Sequence, residues 1–238
     1  MHRRIVPALF ALSCLTAWPV GADETPPRRT IEVTGQGEVK AAPDLAVVSF
    51  AVETTAVTAG AAGADNARKS TALADAIKKE IGSNGKVSTT RYSLDPVYEQ
   101  RERGAVTAPP RITGYVARNQ VRAETHAIDS VGTLIDAATA AGANRVDGLE
   151  FTLEQRTAAQ NDALQRAGQD ARRQAEAAAT ALSVTLGKVL SATVSGAPIV
   201  IPRPYAMMRM AADTSAPTPV EAGDVTVNAT LQVIYEIQ

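Results

Sequence analysis

Ala159, Ala163, Ala167, Ala171, Ala175, Ala178 and Leu182 recur at intervals of three or four in this 238-residue chain. That is the period of an α-helix and predicts one over 157–182, the longest in the chain, with a stripe of small side chains along one face. A stripe only a methyl wide lets a partner surface come close to the helix backbone. Gln165, Arg166, Gln169, Asp170, Arg172, Arg173 and Glu176 occupy the other faces. The helix is therefore amphipathic and lies on a sheet or on another helix instead of running through a core.

Strands with period-two alternation supply the partner. Residues 30–39 carry Ile31 and Val33, and 44–54 place Ala46, Val48, Phe50 and Val52 on one face, with Ala41-Ala42-Pro43-Asp44 as the turn between them. A helix over 59–81 sets Ala67, Leu73, Ala74, Ile77 and Ile81 opposite Arg68, Lys69, Asp75, Lys78 and Lys79, and Gly82-Ser83-Asn84-Gly85 stops it. A strand over 86–94 pairs across the polar loop 95–110 with one over 111–125. There Tyr115, Ala117, Asn119, Val121 and Ala123 alternate with Arg118, Gln120, Arg122 and Glu124, the mark of one wet face.

Asp129 is the expected cap of a short helix striped by Val131, Leu134, Ile135 and Ala138 and ended by Gly142. Strands over 146–153, 188–194 and 224–237 complete the set. The last alternates Val225, Val227, Ala229, Leu231, Val233, Tyr235 and Ile237. The order β-β-α-β-β-α-β-α-β-β predicts an α+β fold, largely antiparallel, with helices packed on one face. Two intimate halves are expected, at about 30–95 and 111–238. Residues 197–223 hold five prolines and three methionines, too long and proline-rich for an ordinary connection, and are expected to be a mobile or interface-forming loop.

The chain opens with His2-Arg3-Arg4, about 14 mostly apolar residues from Ile5 to Trp18, and the small residues Val20-Gly21-Ala22. This reads as a secretory signal over 1–22, cleaved before Asp23. The apolar run is short of the roughly 20 residues a membrane-spanning helix needs. Cys14, the one cysteine, lies inside that signal. The mature chain then has no disulfide, no thiolate nucleophile and no cysteine metal site, in a compartment that permits disulfides. With 24 basic and 25 acidic residues, and two arginines lost with the signal, no basic face is available to neutralise phosphates, which argues against a nucleic-acid partner.

Gly35 and Gly37 invite a phosphate-loop reading, but no third glycine and no lysine-serine pair follow, and a strand comes next. A bulge or a close backbone approach accounts for them better. His126, the single histidine after the signal, stands without a G-x-S-x-G or H-E-x-x-H motif and reads as a surface histidine at a strand end. Met207, Met208 and Met210 flank Arg209. Their thioethers suit apolar contact in an assembly better than copper binding or sacrificial oxidation. Arg101-Glu102-Arg103 and Arg172-Arg173 read as solvated faces. Glu32 and Glu38 have no pattern that marks a glycosidase. No catalytic residue, metal ligand or cofactor is assigned.

Thr34-Gly35-Gln36-Gly37, Val39 and Ala42-Pro43-Asp44 resemble the opening signature of the SIMPL-domain family, also called YggE-like or periplasmic immunogenic proteins. The helix from Ala163 through Asp170-Ala171-Arg172 and Ala175-Glu176-Ala177, followed by Leu182 and Leu186-Gly187-Lys188-Val189, is similar to that family's second signature. The resemblance covers nearly all of 23–238. It implies β-α-β type units, a periplasmic location, self-assembly into rings or channel-like oligomers in some members, and an association with oxidative stress, with no known reaction. The expected function is therefore a non-enzymatic, homo-oligomeric periplasmic component of the cell envelope. Two alternatives stand beside it. One is a module presenting 197–223 to an envelope protein or membrane surface, and the other is a hydrolase using scattered Asp, Glu or Ser residues.

Overall fold

The chain runs β1 (Thr30–Ala41), β2 (Leu45–Ala56), α1 (Ala59–Ile81), β3 (Gly85–Tyr98), β4 (Ile112–Thr125), α2 (Val131–Ala140), β5 (Arg145–Thr152), α3 (Arg156–Ala181), β6 (Leu186–Val194), β7 (Ile199–Pro202) and β8 (Val225–Ile237). This computed structural model describes residues 29–83, 85–99, 111–195, 199–202 and 218–238. The expected signal 1–22, Arg101-Glu102-Arg103 and Met207, Met208 and Met210 lie outside the described residues. The α+β order expected from alternation is present, with β7 added inside the segment expected to be a loop.

Two antiparallel sheets result. One has the order β3-β4-β2-β5; in the other β8 is central, with β1 on one side and β6 and β7 sharing the opposite side. Pairing cuts across the expected division at 95–111. β1 crosses to the C-terminal strands through β8, while β4 and β5 pair with β2.

The first sheet buries Ala46, Val48, Phe50 and Val52 against Leu73, Ile77 and Ile81 of α1 and Val131, Leu134 and Ala138 of α2. Full burial of each larger side chain there is worth about 1.5–3 kcal/mol. The α1 stripe differs from the expected one, because Ala67 is exposed while Asn66 and Ser70 are buried. Hydrogen bonding is the reason: Asn66 Nδ2 donates to the carbonyls of Val52 at 2.8 Å and Ala117 at 3.0 Å, and Ser70 Oγ donates to Asn66 Oδ1 at 3.3 Å. A buried amide with partners on two strands is tolerated where an unpaired one is not. Asp129 does not cap α2. It sits in a 3-10 turn, Ile128–Ser130, and the helix starts at Val131 with no side-chain cap.

α3 covers the second sheet. Its buried residues are Ala163, Ala167, Ala171, Ala175 and Ala179, every fourth position. The stripe therefore ends on Ala179, and Leu182, expected to close it, is exposed at the C-cap. Ile31, Val33, Gly35, Gly37 and Val39 of β1 point to this helix. The glycines mark the close backbone approach: a Cβ on Gly37 would stand 1.9 Å from the Ala163 carbonyl oxygen, and one on Gly35 2.0 Å from that of Ala167.

Gly37→Ala is expected to push α3 off β1 and to destabilise by at least the 1–3 kcal/mol of an overpacked core, read as a lower urea midpoint. Gly60→Ala, at an open position of α1, should be neutral or stabilising by up to about 1 kcal/mol.

Candidate functional site

Side chains that alternate away from the helices make the two open sheet faces. On the first sheet this face carries the polar residues of β4 together with Glu53 of β2 and Arg145 and Asp147 of β5. Arg118 donates twice to Glu53 Oε2, from Nη2 at 2.6 Å and Nε at 3.0 Å, and Arg145 Nη1 lies 3.8 Å from the same oxygen. Arg145 Nε donates to Asp147 Oδ1 at 3.0 Å, and Gln120 Nε2 to Asp147 Oδ2 at 3.2 Å. Asn144 holds the Glu53 backbone from both sides, accepting from its N–H at 2.9 Å and donating to its carbonyl at 2.7 Å. The Glu53 hydrogen bonds, foremost, and its charge raise the Arg118 pKa.

Asp65 and Asp170 are held below the usual carboxylate range. Asp65 is lowered chiefly by its bond to Lys69, and Asp170 chiefly by the Gln36 backbone N–H, then by Gln174 and Arg173. Each of these shifts pushes a group further into its charged form. General acid–base catalysis needs pKa values moved toward neutrality instead.

His126 stands at the end of β4 with Nε2 3.1 Å from Glu154 Oε2, both side chains about half exposed. Glu32 and Glu38 project from the open face of β1 six residues apart, roughly 20 Å along a strand, too far for a glycosidase pair. Glu32 accepts from Gln232, and Glu38 lies 3.8 Å from Lys40. Arg172 pairs with Glu176 and Arg173 with Asp170. Among the described residues no cluster of three His, Cys, Asp or Glu could hold a metal ion. A shallow depression of about 160 Å³ lies between Gln36, Glu38, Asn228 and Thr230, and a flatter one of about 340 Å³ beside Glu53, Thr55, Asn144 and Arg145.

The largest departure from a featureless surface is apolar. β2 ends at Ala56, opposite Tyr115, while β4 continues back to Ile112 and β3 onward to Tyr98. The far end of this hairpin therefore projects past the sheet. Tyr92, Leu94 and Tyr98 alternate along β3, with Tyr92 54 % and Tyr98 50 % exposed, and Ile112, opposite Tyr98, adds to the patch. Sequence reading missed it by treating 95–110 as one polar loop; the period-two spacing of Tyr92, Leu94, Pro96 and Tyr98 was the available signal.

The elements thus define a two-sheet α+β protein with helix-covered inner faces, paired charges on the open faces and an apolar patch along the β3–β4 hairpin. The family model SIMPL, described as a protein of unknown function (DUF541), matches residues 31–235, and the chain belongs to this family. It is similar to the 26 kDa periplasmic immunogenic protein of Brucella melitensis, 30% identical over 220 residues that make up 90% of this chain and 86% of that one. The protein of the same name from Brucella abortus matches equally, at 30% over 220 residues and with the same coverage of both chains. The uncharacterized protein YggE of Edwardsiella ictaluri is 27% identical over 172 residues, 72% of this chain and 70% of that one. No helix among the described residues is long and apolar enough to cross a membrane.

Because the folded pKa of Asp170 is depressed, its contribution to stability is complete above the ordinary aspartate value of about 3.9 and is lost as pH falls through the lower folded value. Asp170→Asn removes this titration. Urea midpoints measured between pH 5 and about pH 2 should therefore fall less steeply for the variant than for the parent.

Proposed function

We propose that this is an exported periplasmic protein that acts without catalysis, as a self-assembling component of the cell envelope associated with protection against oxidative stress. The observation that carries the assembly reading is the apolar face of Tyr92, Leu94, Tyr98 and Ile112 on a hairpin that reaches beyond its own sheet. Exposed apolar patches of this kind are typical of protein contacts, and aromatic side chains dominate the energetics of such contacts. The signal-like segment 1–22 and the names of the Brucella relatives support the compartment. The absence of reaction chemistry is supported by the Arg118 guanidinium and the Asp170 carboxyl, each held further in its charged form by its hydrogen-bond partners.

A second reading, a binding module presenting 197–223, draws on how that segment is tied at both ends. β7 pairs with β8, and Thr218 bonds Asp136 of α2 through its backbone N–H at 3.0 Å and its hydroxyl at 2.6 Å.

Light scattering of residues 23–238 should give a defined oligomer, and Tyr92→Ser with Leu94→Ser and Tyr98→Ser should reduce it to monomer with the far-UV spectrum unchanged. A strictly monomeric parent would refute the assembly reading.

A further inference from the structure

The end strands of the two sheets are not alike. β6 is irregular in register between 186 and 191, and β7 ends in Pro202, which offers no N–H. β3 carries a bulge at Thr90 and has Pro96, which offers no N–H. β5 is eight residues long, bulged opposite Ser49/Phe50, and charged at Arg145, Asp147 and Glu150. β1 carries charges at Glu32, Glu38 and Lys40 but has no break, bulge or proline: its twelve residues pair with β8 in unbroken register. Such an edge is a template for strand addition.

Three of its outward backbone groups are engaged by side chains instead. Arg166 Nη1 donates to the Glu38 carbonyl at 2.7 Å, the Gln36 N–H donates to Asp170 Oδ2 at 3.0 Å, and Gln174 Nε2 donates to the Thr34 carbonyl at 3.1 Å. Positions i, i+4 and i+8 of α3 thus meet every second residue of β1. Four helical residues rise about 6 Å and two strand residues about 6.7 Å, so the two spacings stay matched across three contacts. Gly35 and Gly37 allow the helix near enough for side chains to reach around the strand.

We propose that Arg166, Asp170 and Gln174 form an edge guard that keeps β1 from pairing with β1 of a second copy. The strand is self-complementary for that pairing. Antiparallel alignment about Gln36 sets Thr34 against Glu38 and Glu32 against Lys40 of the second copy, placing opposite charges across the seam. The guard is independent of the apolar hairpin, because its loss is read as mass added to whatever the parent forms.

The test is Asp170→Ala with Gln174→Ala in residues 23–238, followed by light scattering and circular dichroism. The folded variant should gain species of at least twice the parent's mass. Adding Gln36→Pro removes the outward N–H that strand pairing needs without touching a bond to β8, and should return the mass to the parent value. An unchanged mass in the folded double variant would overturn the proposal, as would extra mass that survives Gln36→Pro. If the double variant loses its folded spectrum, Asp170→Ala alone is read by the same two criteria.

Discussion

The contact between Gly35 and Gly37 of β1 and the Ala163–Ala167–Ala171 stripe of α3 is the constraint on which the rest of the structure depends. It is a backbone-to-backbone approach, and any added atom would force the two surfaces apart and forfeit much of the dispersion attraction between them. Because α3 lies this close, its polar residues reach the outer edge of β1 and its methyl stripe covers Val227, Ala229 and Val233 of β8 through the same surface. β1 is thereby held between a helix and a strand drawn from the far end of the chain. The joint that follows is fixed as well: Asp44 Oδ1 accepts from the Glu154 N–H at 2.7 Å, and the Asp44 N–H donates to the Thr152 carbonyl at 3.2 Å. One aspartate thus ties the β1–β2 turn to the β5–α3 turn, where the chain passes between the sheets.

Local periodicity carried much of this fold. The alternation of Ala46, Val48, Phe50 and Val52, and that of the last strand, follow from burial of one face, and the structure buries those faces. Pairing partners were another matter. Thr30 pairs with Glu236 and Ala41 with Val225, and no local pattern encodes a contact between opposite ends of a chain. Asn66 and Ser70 were invisible for a different reason, since their burial depends on carbonyls supplied by β2 and β4. Arg166 and Asp170 read only as polar residues on the outer faces of an amphipathic helix, and Gln174 was not singled out. Their spacing was legible, but the strand edge that gives it meaning was not.

Functional chemistry was less legible than the fold, and the structure explains why. The charged residues form closed pairs and chains, as Glu53 does with Arg118 and Arg145, and a paired surface has no sequence motif. The glycines that resembled a phosphate loop serve packing. What distinguishes the described residues is which surfaces they close and which they leave open, with three groups of the β1 edge engaged by side chains and an apolar patch exposed along the β3–β4 hairpin.

Amide hydrogen exchange at Gln36 tests the central contact most directly. Its N–H points away from β8, and Asp170 of α3 is its acceptor. If α3 is held against β1 as described, this amide exchanges as slowly as those of Gly35 and Gly37, which the strand alternation directs toward β8, because all three are released only when the unit opens. Fast exchange at Gln36 beside slow exchange at the two glycines would show that the helix does not guard the strand, and would contradict the account.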